Sequence, residues 1–327
     1  MEDVKMPTSA ITVALLALLL TCWTCLAGQQ LFDEVWAYLY KGEERVITGQ
    51  EQLTDLCYFS TSLDDTGRLA QPPARPDLGQ LGRIRVHLVV SAPSNKALMY
   101  FCLTRDRQTR DALIEDIVAA SKTFDGIQID FESVRPEDRQ PFLSFLTLLR
   151  LRLPAGKVLS ITVPARTAHR EDAYGYASIG QIADKVVVMA YDEHWQGGQP
   201  GPICSLQWCR RVCQFAMQEI PPRKLIIGLP LYGRAWQVVQ YSRALRFQQT
   251  MELLLNLGKS PNRDEDRIPS FEYLEPVRVK VFYEDMESIL AKLDMCTQLG
   301  VKGVGFWRLG QGPNELWQVL RAGGQGQ

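Results

Sequence analysis

Short apolar runs alternate with amphipathic stretches from residue 35 to residue 307. Runs at 35–40, 55–60, 83–91, 125–132, 158–163, 186–191, 224–229 and 303–307 are brief and rich in Val, Ile and Leu, the pattern of buried strands. The stretches between them carry helical spacing. Leu113, Ile114, Ile117 and Val118 line one face of 107–121, and Phe142, Phe145, Leu146 and Leu149 line one face of a helix opening at Pro136-Glu137-Asp138. A proline in the first turn and acids beside a helix N-terminus both favour that start. Further helices fall at 174–183, 206–219 and 285–298, the last stopped near Gly300. Eight strands separated by helices imply a parallel sheet, and eight such units in this length imply an α/β fold, the (β/α)8 TIM barrel. A doubly wound open sheet would carry a glycine-rich first turn, and Tyr40-Lys41-Gly42-Glu43-Glu44 is not one. The tidy alternation breaks once, at about 237–284 between strands seven and eight. A small α+β insertion is expected there, with a helix at 242–257, a polar stretch at 259–267 and a hairpin at 271–283.

The fourth strand stands out. In Asp125-Gly126-Ile127-Gln128-Ile129-Asp130-Phe131-Glu132, the apolar Ile127, Ile129 and Phe131 point one way while Gln128, Asp130 and Glu132 point the other. An apolar row suits packing under helices. A row with two acids is costly to bury unless something pairs or uses them. Asp130 and Glu132 lie two residues apart, so their carboxyls are roughly 7 Å apart and each can raise the other's pKa, as a general acid near neutral pH requires. Solvation, or pairing with arginines, is the plainer reading of the same spacing.

Composition changes this picture little. The 327 residues are 46% hydrophobic with a net charge of −1, which gives no argument for nucleic acid or an anionic membrane surface as partner. Residues 6–28 lack charge, an apolar block follows Lys5, and Cys25-Leu26-Ala27 offers small residues for cleavage, so 1–27 reads as a signal peptide of an exported protein. Leu19-Leu20-Thr21-Cys22 is a poor lipoprotein box, and an uncleaved anchor is the third reading. No Asn-x-Ser/Thr sequon occurs, which favours a bacterial envelope, periplasm or medium as destination. Cys57, Cys102, Cys204, Cys209, Cys213 and Cys296 follow the leader without zinc spacing. They are read as buried small residues with at most one bridge, and no metal is expected.

Asp125-Gly126-x-x-x-Asp130-x-Glu132 resembles the signature of glycoside hydrolase family 18, the chitinase-like enzymes. Met189-Ala190-Tyr191-Asp192 resembles that family's sixth-strand motif, Leu229-Pro230-Leu231-Tyr232-Gly233-Arg234 its seventh, and Gly305-Phe306-Trp307-Arg308 its eighth. The resemblance spans nearly all of 33–312, within a barrel expected over 33–320. It implies a retaining, substrate-assisted glycosidase whose nucleophile is the substrate's own acetamido oxygen. Glu132 would be the acid and then the base, Asp130 would hold the acetamido N–H, and Tyr191 would position its carbonyl. Asp192, Trp307, Gln128, Arg234 and, less specifically, Tyr38 would bind substrate. A glycan containing N-acetylglucosamine is the implied partner, acted on by a monomer without cofactor or protein partner.

Two departures matter. Gln128 stands where chitinases usually carry aspartate, which should leave Asp130 more readily ionised and supply it with an amide donor. Ser91-Ala92-Pro93-Ser94 replaces Ser-x-Gly-Gly. Gln128, with Asp192-Glu193-His194-Trp195 and Gly197-Gly198, looks closer to the peptidoglycan- and spore-cortex-lytic and chitobiase-like branch. A wall glycan is therefore the first expected substrate, with a chitooligosaccharide hydrolase or a silent glycan-binding protein as alternatives. Silent relatives commonly lose the acid that Glu132 supplies.

Overall fold

The computed structural model describes residues 30–322 except 72, 93, 94, 239, 240, 275 and 276, so the leader expected at 1–27 lies outside the described residues. Eight parallel strands close into a barrel: β1 Glu34–Tyr40, β2 Asp55–Ser62, β3 Arg85–Ser91, β4 Gly126–Asp130, β5 Val158–Pro164, β6 Lys185–Met189, β7 Leu225–Pro230 and β8 Gly303–Trp307. β8 pairs with both β7 and β1, so the barrel leaves no free edge. The expected fold is the observed one.

Five helices around the barrel fall within a few residues of their expected bounds: α1 Arg107–Ala120, α2 Arg139–Arg152, α3 Tyr176–Ile182, α4 Leu206–Glu219 and, after the insertion helix α5 Phe247–Leu257, α6 Met286–Leu299. Their ends follow side-chain chemistry. Asp106 caps α1 through the Gln108 N–H, Ser205 caps α4 through the Trp208 N–H, and Asp285 caps α6 through the Ser288 N–H. A further helix, Lys96–Tyr100, continues into a π turn at Phe101–Arg105. It is too short to show a period in the sequence.

The two faces of β4 separate as its alternation requires. Ile127, Ile129 and Phe131 are buried on the outer side, where the Phe131 ring packs 5.7 Å from Phe145 and 6.4 Å from Phe142 of α2. Gln128 and Asp130 are buried toward the barrel interior. Inside the barrel, Trp36, Tyr38, Cys57, Phe59, Val89, Val187 and Ile226 form a packed layer under Trp307. Below it His87 fills the space above Gly126, where a Cβ would fall 2.3 Å from its Nδ1, so only glycine fits there.

The insertion is more extensive than its expected start implies. A five-stranded antiparallel sheet runs in the order Tyr241–Leu245, Gly233–Val238, Arg278–Phe282, Pro269–Leu274 and Asn262–Arg263. It buries Ala235, Leu245, Phe271, Tyr273, Val279, Val281 and Tyr283 with Leu254 of α5. The helix expected from residue 242 begins only at Phe247. Residues 242–245 pair instead with the strand Gly233–Val238, a tertiary partner that outweighs local helical propensity.

Candidate active site

The eight residues singled out in the sequence lie at different depths around the mouth formed by the carboxyl ends of the strands: Glu132 and Asp192 are exposed there, Asp130, Tyr191 and Trp307 line it, Gln128 and Tyr38 are buried in the layer below, and Arg234 is buried on the insertion strand beside Asp192. β4 ends at Asp130, and Glu132 stands two residues beyond it, exposed at the rim. Its turn is pinned from behind: the Tyr174 hydroxyl donates to the Phe131 carbonyl at 2.7 Å and accepts from the Val134 N–H at 3.1 Å. Desolvation, reinforced by the charges of Asp130 and Asp192, raises the Glu132 pKa to about 7. A carboxyl at that value is half protonated near neutrality, which suits proton donation followed by proton abstraction.

Asp130 is buried and accepts a 2.6 Å hydrogen bond from the Thr162 hydroxyl on β5. Burial pushes its pKa up despite that bond. Gln128 does not supply the amide donor expected from sequence. Its Nε2 donates to the Ser160 hydroxyl at 3.2 Å, because the strand register sets Gln128 opposite Ser160. Gln128 thus sits a layer below the acids, and desolvation rather than relief from a like charge governs Asp130.

The opposite wall is aromatic. Trp307, at the end of β8 and joined to Arg308 by a cis peptide bond, is ringed by Tyr38, Tyr40, Phe59 and Tyr191 at centroid separations of 5.3, 6.0, 5.5 and 6.3 Å. A flat apolar ring held this way suits the C–H face of a pyranose. Burial drives the Tyr191 phenol well above its ordinary pKa, so it stays protonated and able to donate. The charges of Asp130 and Glu132 both act on Tyr191 and on Tyr40, so acids and rings converge on one space.

Asp192 follows β6 in the left-handed region, φ 56°, with its carboxylate toward the mouth. The Tyr232 hydroxyl donates to it, and the Arg234 guanidinium, buried against the insertion, reaches it at 3.2 Å. On the first-strand side, Glu43 accepts from both Arg308 and, at 3.2 Å, Arg246 at the start of α5. A shallow groove lined by Tyr40, Phe59, Ser60, Thr61, Gln71 and Ser91 runs on from the mouth.

Sequence reasoning missed Thr162, Tyr174, Tyr232, Tyr40 and Phe59. Thr162 was signalled by the Ser160/Thr162 alternation, and Tyr232 lies within the seventh-strand motif. Nothing local marks Tyr174, whose partner lies more than forty residues away in the chain. Among the described residues no group of three or more His, Cys, Asp or Glu side chains could hold a metal ion.

A closed eight-stranded barrel presenting an uncompensated carboxyl pair and a sugar-sized aromatic wall at the carboxyl ends of its strands defines a glycosidase of the (β/α)8 class. Residues 80–312 match glycosyl hydrolases family 18, and the chain belongs to that family. It is 29% identical over 289 residues to the cortical fragment-lytic enzyme of Bacillus anthracis, an overlap of 82% of this chain and 67% of that protein. The crystal structure of the Bacillus cereus spore cortex-lytic enzyme SleL superposes with a TM-score of 0.79 at 27% identity, covering 89% of this chain and 74% of that one. A chitinase from Chromobacterium violaceum shares the fold, with a TM-score of 0.79 at 24% identity over 88% of this chain and 97% of that one.

Proposed function

We propose that this protein is an exported, retaining β-N-acetylglucosaminidase that cleaves a peptidoglycan-type glycan with the substrate's own acetamido group as nucleophile. The observation that carries the reading is the convergence of Glu132, its pKa near 7, with Asp130, Tyr191 and Trp307 on one space. Of the pair on β4 only Glu132 stands at the rim, Asp130 being buried behind it, and the Asp192 carboxylate is held by Tyr232 and Arg234, so a second enzyme carboxylate is poorly placed to attack the anomeric carbon.

Glu132 protonates the glycosidic oxygen and the C–O bond opens. The acetamido oxygen closes on the anomeric carbon, guided by the Tyr191 hydroxyl, while Asp130 takes the acetamido N–H. The now ionised Glu132 removes a proton from water, which opens the oxazolinium-type intermediate from the face the leaving group left. Two inversions retain configuration. Holding the internal nucleophile in attack geometry is where much of the acceleration arises, since good orientation supplies about 7–11 kcal/mol. The wall-glycan assignment rests on the cortex-lytic relatives and on Gln128. Export rests on the uncharged residues 6–28 and Cys25-Leu26-Ala27.

The test incubates the purified protein with peptidoglycan strands and, separately, chitooligosaccharides, beside a Glu132→Gln control, with products read by mass spectrometry and the first-formed anomer by NMR. Release of β-anomeric products from peptidoglycan by the unmodified protein alone is expected. Inverted products, or equal cleavage of glycans lacking the acetamido group, would overturn the mechanism. N-terminal sequencing of protein recovered from the envelope tests export, with Gly28 as the expected first residue.

A further inference from the structure

Away from the mouth, four thiols meet where α4 packs against α6. Cys204 precedes α4, Cys209 and Cys213 lie on it one turn apart, and Cys296 lies on α6; all four are free and fully buried. Their thiols follow one another within hydrogen-bond reach: Cys204 with Cys209, Cys209 with Cys213, and Cys213 with Cys296. The arrangement is a line rather than a cage, and it lacks the geometry for a metal ion. A line of four has one pairing that uses every member, the two end contacts. Bridging the middle contact would leave both outer thiols without a partner.

We propose that these residues are the sites of two disulfides, Cys204–Cys209 and Cys213–Cys296, formed when the chain folds in the presence of a small-molecule disulfide. For each bridge two S–H bonds break and one S–S bond forms. The two protons and two electrons pass to the small disulfide, which leaves as two thiols. Neither bridge needs the helices to move apart, because each pair of thiols already lies within hydrogen-bond reach. Burial means that the bridges form before the helices close and are sheltered afterwards. In the folded protein burial raises the Cys204 thiol well above its ordinary value, so thiolate attack belongs to the chain before this region closes. The second bridge ties two helices that are distant in the chain, so it constrains the unfolded state more than the first. Cys57 and Cys102, buried elsewhere, stay reduced.

The full chain, reduced and denatured, is refolded in mixed reduced and oxidised glutathione until its circular dichroism is that of a folded α/β protein. It is then denatured with iodoacetamide and digested by trypsin without reduction. This readout does not depend on export or on activity. The expected map shows peptide 186–210 closed on itself and peptide 212–223 joined to 293–302, with Cys57 and Cys102 alkylated. In a Cys296→Ser variant Cys213 becomes alkylated while the 186–210 bridge persists. Joining of 186–210 to 212–223, alkylation of all four residues, or a bridge to Cys57 or Cys102 would overturn the assignment.

Discussion

The carboxylates at the amino ends of the barrel and the pair carried by β4 at its carboxyl ends are treated oppositely. At the amino ends, buried Asp55 lies 2.7 Å from both His87 and Arg85, Lys185 reaches Glu34 at 2.5 Å, Arg150 reaches Asp184 at 2.6 Å and Arg75 reaches Asp125 at 2.8 Å. Burial alone would push Asp55 up, but its bonds to His87 and Arg85 outweigh that and hold it below its usual value. At the carboxyl ends, neither Asp130 nor Glu132 has a basic partner among the described residues, and both are pushed up. The mouth has cations too, but Arg234 goes to Asp192 and Arg308 and Arg246 go to Glu43, which leaves the β4 pair without one. Paired acids hold the barrel shut, and the unpaired Glu132 keeps a share of its protons near neutral pH.

The hardest blow to this contrast is at the rim. Glu132→Gln should lower kcat by about 10²–10⁴-fold, the usual worth of a positioned acid–base group, with the urea midpoint unchanged. Activity within tenfold of the unmodified protein would move the acid elsewhere. At the base the outcome should reverse. Asp55→Asn strips a buried carboxylate from His87 and Arg85 and should reduce stability by about 3–5 kcal/mol, leaving kcat of the folded fraction nearly intact. Equal loss of rate and stability at both sites would erase the distinction between the two ends.

A finer cut uses pH. The proton donor is the neutral form of Glu132, so kcat/KM should fall as pH rises through about 7. The Asp192 charge helps to raise that value, and Asp192→Asn should therefore shift the alkaline limb to lower pH. A limb that stays put or rises would detach Asp192 from the acid. Smallest is Tyr232→Phe, which removes one hydroxyl from Asp192. A cost of about 0.5–1.5 kcal/mol in kcat/KM is expected, a few-fold to about tenfold, with the fold unaffected.

Much of this was legible in the chain because the barrel repeats local rules. The alternation through Ile127 to Glu132 separates the face that meets Phe142 and Phe145 from the face that meets substrate, and a cap and an apolar stripe delimit α4. What was not legible depends on neighbours across strands. The true start of α5 needs the pairing of Tyr241–Leu245 with Gly233–Val238. The partner of Gln128 needs the β4–β5 register, and the raised carboxyl of Asp130 needs the depth of its burial. Tyr174 behind Glu132 is a contact no spacing rule anticipates.

Glu43 ties the turn after β1 to Arg308 beyond β8 and to Arg246 at the head of α5, so one carboxylate staples the first and last barrel strands to the insertion wall. Arg246 in that staple is substantially open to solvent. Dissolved electrolyte screens such contacts far more than enclosed ones like that of Asp55 with His87. Ionic strength therefore acts as a selective loosener of this protein: brine should slacken the lips of the cleft while the cylinder beneath keeps its shape.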